Sequence, residues 1–125
     1  MESVLYFGAR DHRALWQVID HQTAQPTGIR IISGHARGVD AVAELTAHAA
    51  GRDVHSYPAR WQNEPGKKVN RAAGFDRNKV MHDACDRAVG FLWPGCKGSL
   101  HTESLLKKSG KPYEMVEPNL RETCV

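Results

Sequence analysis

The chain has 125 residues, 41% of them hydrophobic and 25% charged, with a formal net charge of +3. That is one domain's length, enough for a hydrophobic core, and the balance excludes a mostly disordered chain. No apolar run is long enough to cross a bilayer, so no membrane partner is expected, and Met1 to Gly8 lacks the basic and apolar regions of a signal peptide. The three cysteines, Cys85, Cys96 and Cys124, cannot all pair within one chain and fit no zinc spacing. A reducing compartment, the cytoplasm, is the expected location. The small positive charge suits a nucleic acid or an anionic small molecule and argues for neither.

Short apolar runs alternate with longer amphipathic stretches, without repeats. Ser3–Phe7 is rich in β-formers and stopped by Gly8, which predicts a first strand. Arg13–Ala24 carries Leu15, Trp16, Val18 and Ile19 near helical spacing, and Pro26-Thr27-Gly28 is a turn. Ile29–Ser33 predicts the second strand. Gly38–Ala50 predicts a second helix, closed by Gly51. Asp53–Tyr57 is a weaker third strand, followed by a loop over Pro58–Gly66. Lys67–Cys85 reads as helical with a flaw at Gly74. Arg87–Trp93 predicts a fourth strand interrupted by Gly90, and Pro94–Ser99 a glycine-bearing loop. Leu100–Ser109 predicts the last helix, and Pro112–Val116 a fifth strand, at a sheet edge because of its proline. Residues 1–117 form the expected domain and 118–125 a tail.

Five strands alternating with four helices predict an α/β fold, a single Rossmann-like three-layer domain. Its five-stranded, mainly parallel sheet carries helices on both faces. Such sheets bind ligands outside the carboxyl ends of their strands. The four turns expected there are Gly8-Ala9-Arg10-Asp11, Gly34 to Asp40, Tyr57 to Trp61 and Pro94 to Ser99. Each holds a basic residue and three hold glycine, which makes an anion-binding rim.

In Pro94-Gly95-Cys96-Lys97-Gly98-Ser99 the glycines admit a ligand close to the backbone, and the following helix offers free N–H groups. Ser99 either binds a phosphate oxygen or caps the helix, and Lys97 adds a point charge. No Walker loop is present. Cys96 has no evident base beside it. In Gly34-His35-Ala36-Arg37-Gly38-Val39-Asp40, Arg37 can fork a phosphate or carboxylate. Asp40 either compensates the helix dipole, orients Arg37 or binds a ribose hydroxyl. Arg77 and Asn78 reach the rim or lie on a solvated helix face, and Met81 suits the core. Glu103 follows the phosphate-type loop as the one nearby carboxylate, with surface charge as the alternative. The seven histidines form no metal motif, so neither a metal nor a cofactor is expected. His35 is the one in a rim loop, and His101 stands beside the last loop.

The motifs GARD, GHARGVD, YPARW, AAGFDRNKVM and FLWPGCKGS, in this order, resemble the YspA-like (cpYpsA-related) branch of the SLOG superfamily. The resemblance runs from about residue 3 to residue 117 and implies a Rossmann-like fold with a nucleotide-type ligand on the rim. It implies kinship with lonely-guy phosphoribohydrolases, which split nucleotides into base and ribose 5-phosphate. It also implies kinship with the DNA-processing protein A family, which binds single-stranded DNA. Against the hydrolases' PGGxGTxxE, Cys96 replaces the second glycine and Ser99 the threonine. Their glutamate falls on Thr102, one place before Glu103. Their arginine matches Arg77. His35 stands where related proteins often have glycine, and is expected to narrow the pocket.

Three functions are therefore expected as alternatives. The first is a nucleotide N-glycosidase using Glu103, Arg77 and Asp40, with phosphate on Gly95, Gly98 and Ser99. The second is a non-catalytic sensor or sequestering module on the same rim, formed by Gly8, Arg10, Asp11, Gly34, His35, Arg37, Gly38, Arg77, Asn78, Pro94 and Lys97. A third is single-stranded nucleic-acid binding through Trp61, Lys67, Lys68 and Arg71. A homodimer or higher homo-oligomer is expected of so small a domain.

Overall fold

Alternation along the strands decides the layering. In β1 (Ser3–Gly8), Val4 and Tyr6 join one core cluster, while Leu5 and Phe7 join the other. Ile31 and Ile32 of β2 (Arg30–Ser33) divide the same way, as do Val89 and Ala88 of β4 (Arg87–Phe91). A strand buried on both faces must sit inside a parallel sheet with helices above and below. The computed structural model, which describes residues 1–59, 73–95 and 97–118, has that architecture.

The remaining elements are α1 (Trp16–Thr23), α2 (Val39–Ala49), β3 (Asp53–Ser56), α3 (Ala73–Ala84), α4 (Lys97–Ser109) and β5 (Tyr113–Val116). The strands pair in the order β3-β2-β1-β4-β5, all parallel. Val18 of α1 and Val39, Ala43 and Ala47 of α2 cover one face of the sheet. Met81 of α3 and Leu106 of α4 cover the other. The chain reverses its direction of progress between β1 and β4, so the crevice opens at the carboxyl ends of those two strands. The fold is the expected Rossmann-like α/β domain, with β5 at an edge.

Four local expectations are corrected. α1 begins at Trp16, not Arg13, because the residues before it are used in turns. His12 N–H bonds the Ala9 carbonyl, and the His12 ring accepts the Ala14 N–H at 3.1 Å. α4 begins at Lys97 rather than Leu100. Gly95 turns the chain at φ +82°, a left-handed conformation suited to glycine, so the helix starts almost at once. β4 runs through Gly90 without interruption. A Cβ there would stand 2.5 Å from the Phe7 ring and 2.6 Å from Met115 Sδ, so the glycine is a packing requirement. Gly74 likewise lies within α3 without breaking it. The loop expected to Gly66, the helix expected from Lys67 to Ala72, and the tail from Asn119 lie outside the described residues.

Candidate functional site

A cleft of about 430 Å³ opens at the strand ends. Its wall at β1 is Gly8 to Asp11, and at β4 it is Trp93 to Gly95. Gly8 is fitted against α2: a Cβ there would stand 2.6 Å from Val39 Cγ2. Gly38, at φ +79°, lets α2 begin directly beneath the Ala9 and Arg10 carbonyls, which a Cβ would meet at 2.6 and 2.5 Å. These two glycines hold the first turn of α2 against the β1 loop, and that places Asp40 in the cleft.

Asp40 is 7% exposed. One carboxylate oxygen accepts the Ala36 N–H at 3.4 Å. Burial pushes its pKa up to about 7, against the pull of Arg77, the Ala36 amide and Arg10, with Glu44 adding repulsion. Arg77 comes from the first turns of α3. Its Nη1 donates to the Gly34 carbonyl at 2.6 Å and to the Tyr57 carbonyl at 3.4 Å, and its Nε donates to Asn78 Oδ1 at 3.1 Å. Burial lowers its pKa, and the Asp40 charge opposes that shift. Gly34 explains how both reach one spot. A Cβ on it would collide with the Arg77 guanidinium and stand 2.9 Å from Asp40 Oδ2. A hydrogen-bonded, pre-positioned guanidinium beside a carboxyl that titrates near neutrality can bind an anion and exchange a proton.

The rest of the lining mixes polar and aromatic side chains. Asn78 and Ser99 are buried at the cleft, and Thr102 is nearly inaccessible behind it. Asn78 Nδ2 is 3.2 Å from His101 Nδ1, and the His101 ring lies against Phe75 at 4.5 Å between centroids. Burial, Lys79 and Lys108 lower the His101 pKa. Trp93 leans on His12, with ring centroids 4.8 Å apart. Burial lowers the His12 pKa, so that ring packs as a neutral base.

Of the residues singled out in the sequence, Gly8, Arg10, Asp11, Asp40, Arg77, Asn78, Pro94, Gly95 and Ser99 line this cleft together. Others stand elsewhere. Arg37 pairs with Asp11 at 3.3 Å on an exposed surface. His35 takes a left-handed backbone, φ +58°, a conformation glycine adopts more readily than histidine. Its ring turns to Glu44, at 3.0 Å from Nδ1, so it does not narrow the cleft. Gly34 and Gly38 support the wall from behind. Glu103 lines a neighbouring hollow, with Lys107 at 3.9 Å. Lys97 and Gly98 open α4. The Lys97 side chain, Cys96, Trp61, Lys67, Lys68 and Arg71 lie outside the described residues. Among the described residues no group of histidine, cysteine or carboxylate side chains is placed to hold a metal ion. No described helix is long and apolar enough to cross a membrane.

Phe75, Trp93 and Thr102 were missed as lining residues. Thr102 had a signal, since it falls on the hydrolases' glutamate position. Trp93 stands two residues past its strand, where a side chain can swing over the crevice.

Residues 8–63 match the model of the YAcAr family, described as YspA, cpYpsA-related SLOG. The YspA-like SLOG resemblance is borne out. The YspA-like segment supplies the β1 loop, Gly34, Gly38 and Asp40; α3, β4 and α4 complete the cleft from beyond it. No curated protein matches the sequence. Among solved structures, DNA processing protein A from Streptococcus pneumoniae superposes with a TM-score of 0.74 at 17% identity, over 98% of this chain and 52% of that one. DNA processing protein A from Helicobacter pylori, solved for its single-stranded DNA binding mode, gives 0.72 at 17% identity, over 96% of this chain and 67% of that one. The chain thus spans about half the length of the first and two thirds of the second. The likeness is one of fold.

Proposed function

We propose that the cleft binds a nucleotide. The observation that carries this reading is the Arg77 guanidinium, fixed by two backbone carbonyls beside Asp40 at the switch-point crevice. Arg77, Arg10 and the amino end of α4 supply the positive field a phosphate needs. Asp40 suits a ribose hydroxyl, and Phe75 and Trp93 suit the faces of a base. The charged, polar and aromatic groups of one cleft match the phosphate, sugar and base of one small molecule.

A second reading, hydrolysis of the N-glycosidic bond, is favoured by the carboxyl raised to about 7. Such a group can donate or accept a proton near neutral pH. Hydrolysis then rests on Asp40, with Glu103 outside the cleft. In the third reading, nucleic acid takes the place of the free nucleotide, and the fold shared with the DNA-binding protein from Helicobacter pylori supports it.

One panel separates the three. The protein is incubated with nucleoside mono-, di- and triphosphates and with a single-stranded oligonucleotide, and melting temperature and released base are measured together. A mononucleotide should raise the melting temperature, with little change when salt is increased. Released base that disappears in Asp40→Asn supports hydrolysis. Stabilisation by the oligonucleotide alone, steeply lost with salt, would overturn the nucleotide reading.

A further inference from the structure

We propose that the cleft is half of a bipartite site, whose second half takes a cationic, partly apolar group joined to the nucleotide. This rests on the nucleotide reading above. A hollow of about 540 Å³ adjoins the cleft, and both are lined by Trp93, Pro94, Gly95 and Ser99. The two volumes therefore meet along one loop. Among the described residues no atom stands within 4 Å of a notional Cβ on Gly95, which leaves room for a ligand to cross the loop there.

The two halves differ in chemistry. The charged lining of the cleft, among the described residues, is Arg10, Asp11, Asp40 and Arg77. The charged lining of the hollow, among the described residues, is Glu103 and Glu117. Leu92, Leu100, Met115 and Pro118 make the rest of it largely apolar. The Glu103 side chain is 20% exposed, and its pairing with Lys107 at 3.9 Å is at the outer limit of an ion pair. An anion is repelled there, whereas a flat or aliphatic group with a positive charge gains apolar contact and two carboxylates. The ligand class this describes is a dinucleotide or nucleotide conjugate with its phosphates on the Arg77 side and a cationic moiety beyond Gly95.

Oxidised and reduced nicotinamide adenine dinucleotide form a suitable probe pair, because the oxidised ring is cationic and the reduced ring neutral. Adenosine monophosphate reports the cleft alone. In calorimetric titrations the oxidised dinucleotide should bind roughly tenfold tighter than the monophosphate and roughly fivefold tighter than the reduced form, a size expected of partly exposed charge pairs. The double variant Glu103→Gln, Glu117→Gln should erase the preference for the oxidised form. Equal affinities for the two dinucleotides, or a preference that survives in the double variant, would overturn the bipartite site while leaving the nucleotide reading intact. No binding of the monophosphate or of either dinucleotide would overturn both.

Discussion

Asp40→Asn is expected to stabilise the protein at about pH 8 by roughly 1–3 kcal/mol and to flatten its stability between about pH 4 and pH 7. The carboxyl titrates near 3.8 when unfolded and is pushed up to about 7 by burial in the native chain. Between those values the native state holds the proton and the unfolded state does not. Stability therefore falls as pH rises through that window, and the loss is complete above it. At 1.36 kcal/mol per pKa unit the ceiling is roughly 4 kcal/mol. Arg77 loses its counter-charge in the variant, which offsets part of the gain. Urea unfolding at several pH values checks this. Equal stability near pH 4 and divergence by pH 8 is the expected pattern. A constant difference across the range would mean that burial of Asp40 costs the native state nothing.

Arg77→Met should have the opposite sign and a larger functional effect. Met keeps much of the side chain's volume, but Asp40 is left buried without its largest compensating charge. The expected loss is roughly 3 kcal/mol at pH 8, from stranding a buried charge. Adding Asp40→Asn should recover most of it, because the stranded charge is gone. Nucleotide affinity should fall roughly 30-fold in both variants, the range for a charge-assisted hydrogen bond to phosphate. Isothermal titration alongside urea unfolding separates the two effects. Recovered stability with affinity still lost, while Asp40→Asn alone keeps most of its affinity, places Arg77 on the ligand. Recovered affinity in the double variant would mean that neither side chain is needed to hold the ligand.

The layering was legible in the sequence because both-face burial writes itself as the unbroken runs Val4-Leu5-Tyr6-Phe7 and Ile31-Ile32. Loop-to-helix boundaries were not. Gly95 and Gly98 look alike in sequence, yet Gly95 makes the turn at φ +82° and Gly98 is already helical. Ligand-type residues were legible by their place after a strand, which is why Arg10, Asp40 and Ser99 converge. Their directions were not. Arg37 and His35 belong to the same loop as Asp40, but the left-handed turn at His35 and the tight start at Gly38 send their side chains to Asp11 and Glu44. Glu103 and Thr102 differ by one helical step of 100°, and that step puts Thr102 at the cleft and Glu103 in the hollow beside it. The burial of Asp40 was not legible either, because spacing carries no information on burial.

The measurement that bears most directly on the account is a crystal structure of the protein with a bound nucleoside monophosphate. The phosphate is expected within hydrogen-bonding distance of Arg77, with the ribose beside Asp40 and the base against Phe75 or Trp93. A nucleotide seated away from Arg77 and Asp40, with the cleft holding only water, would contradict it.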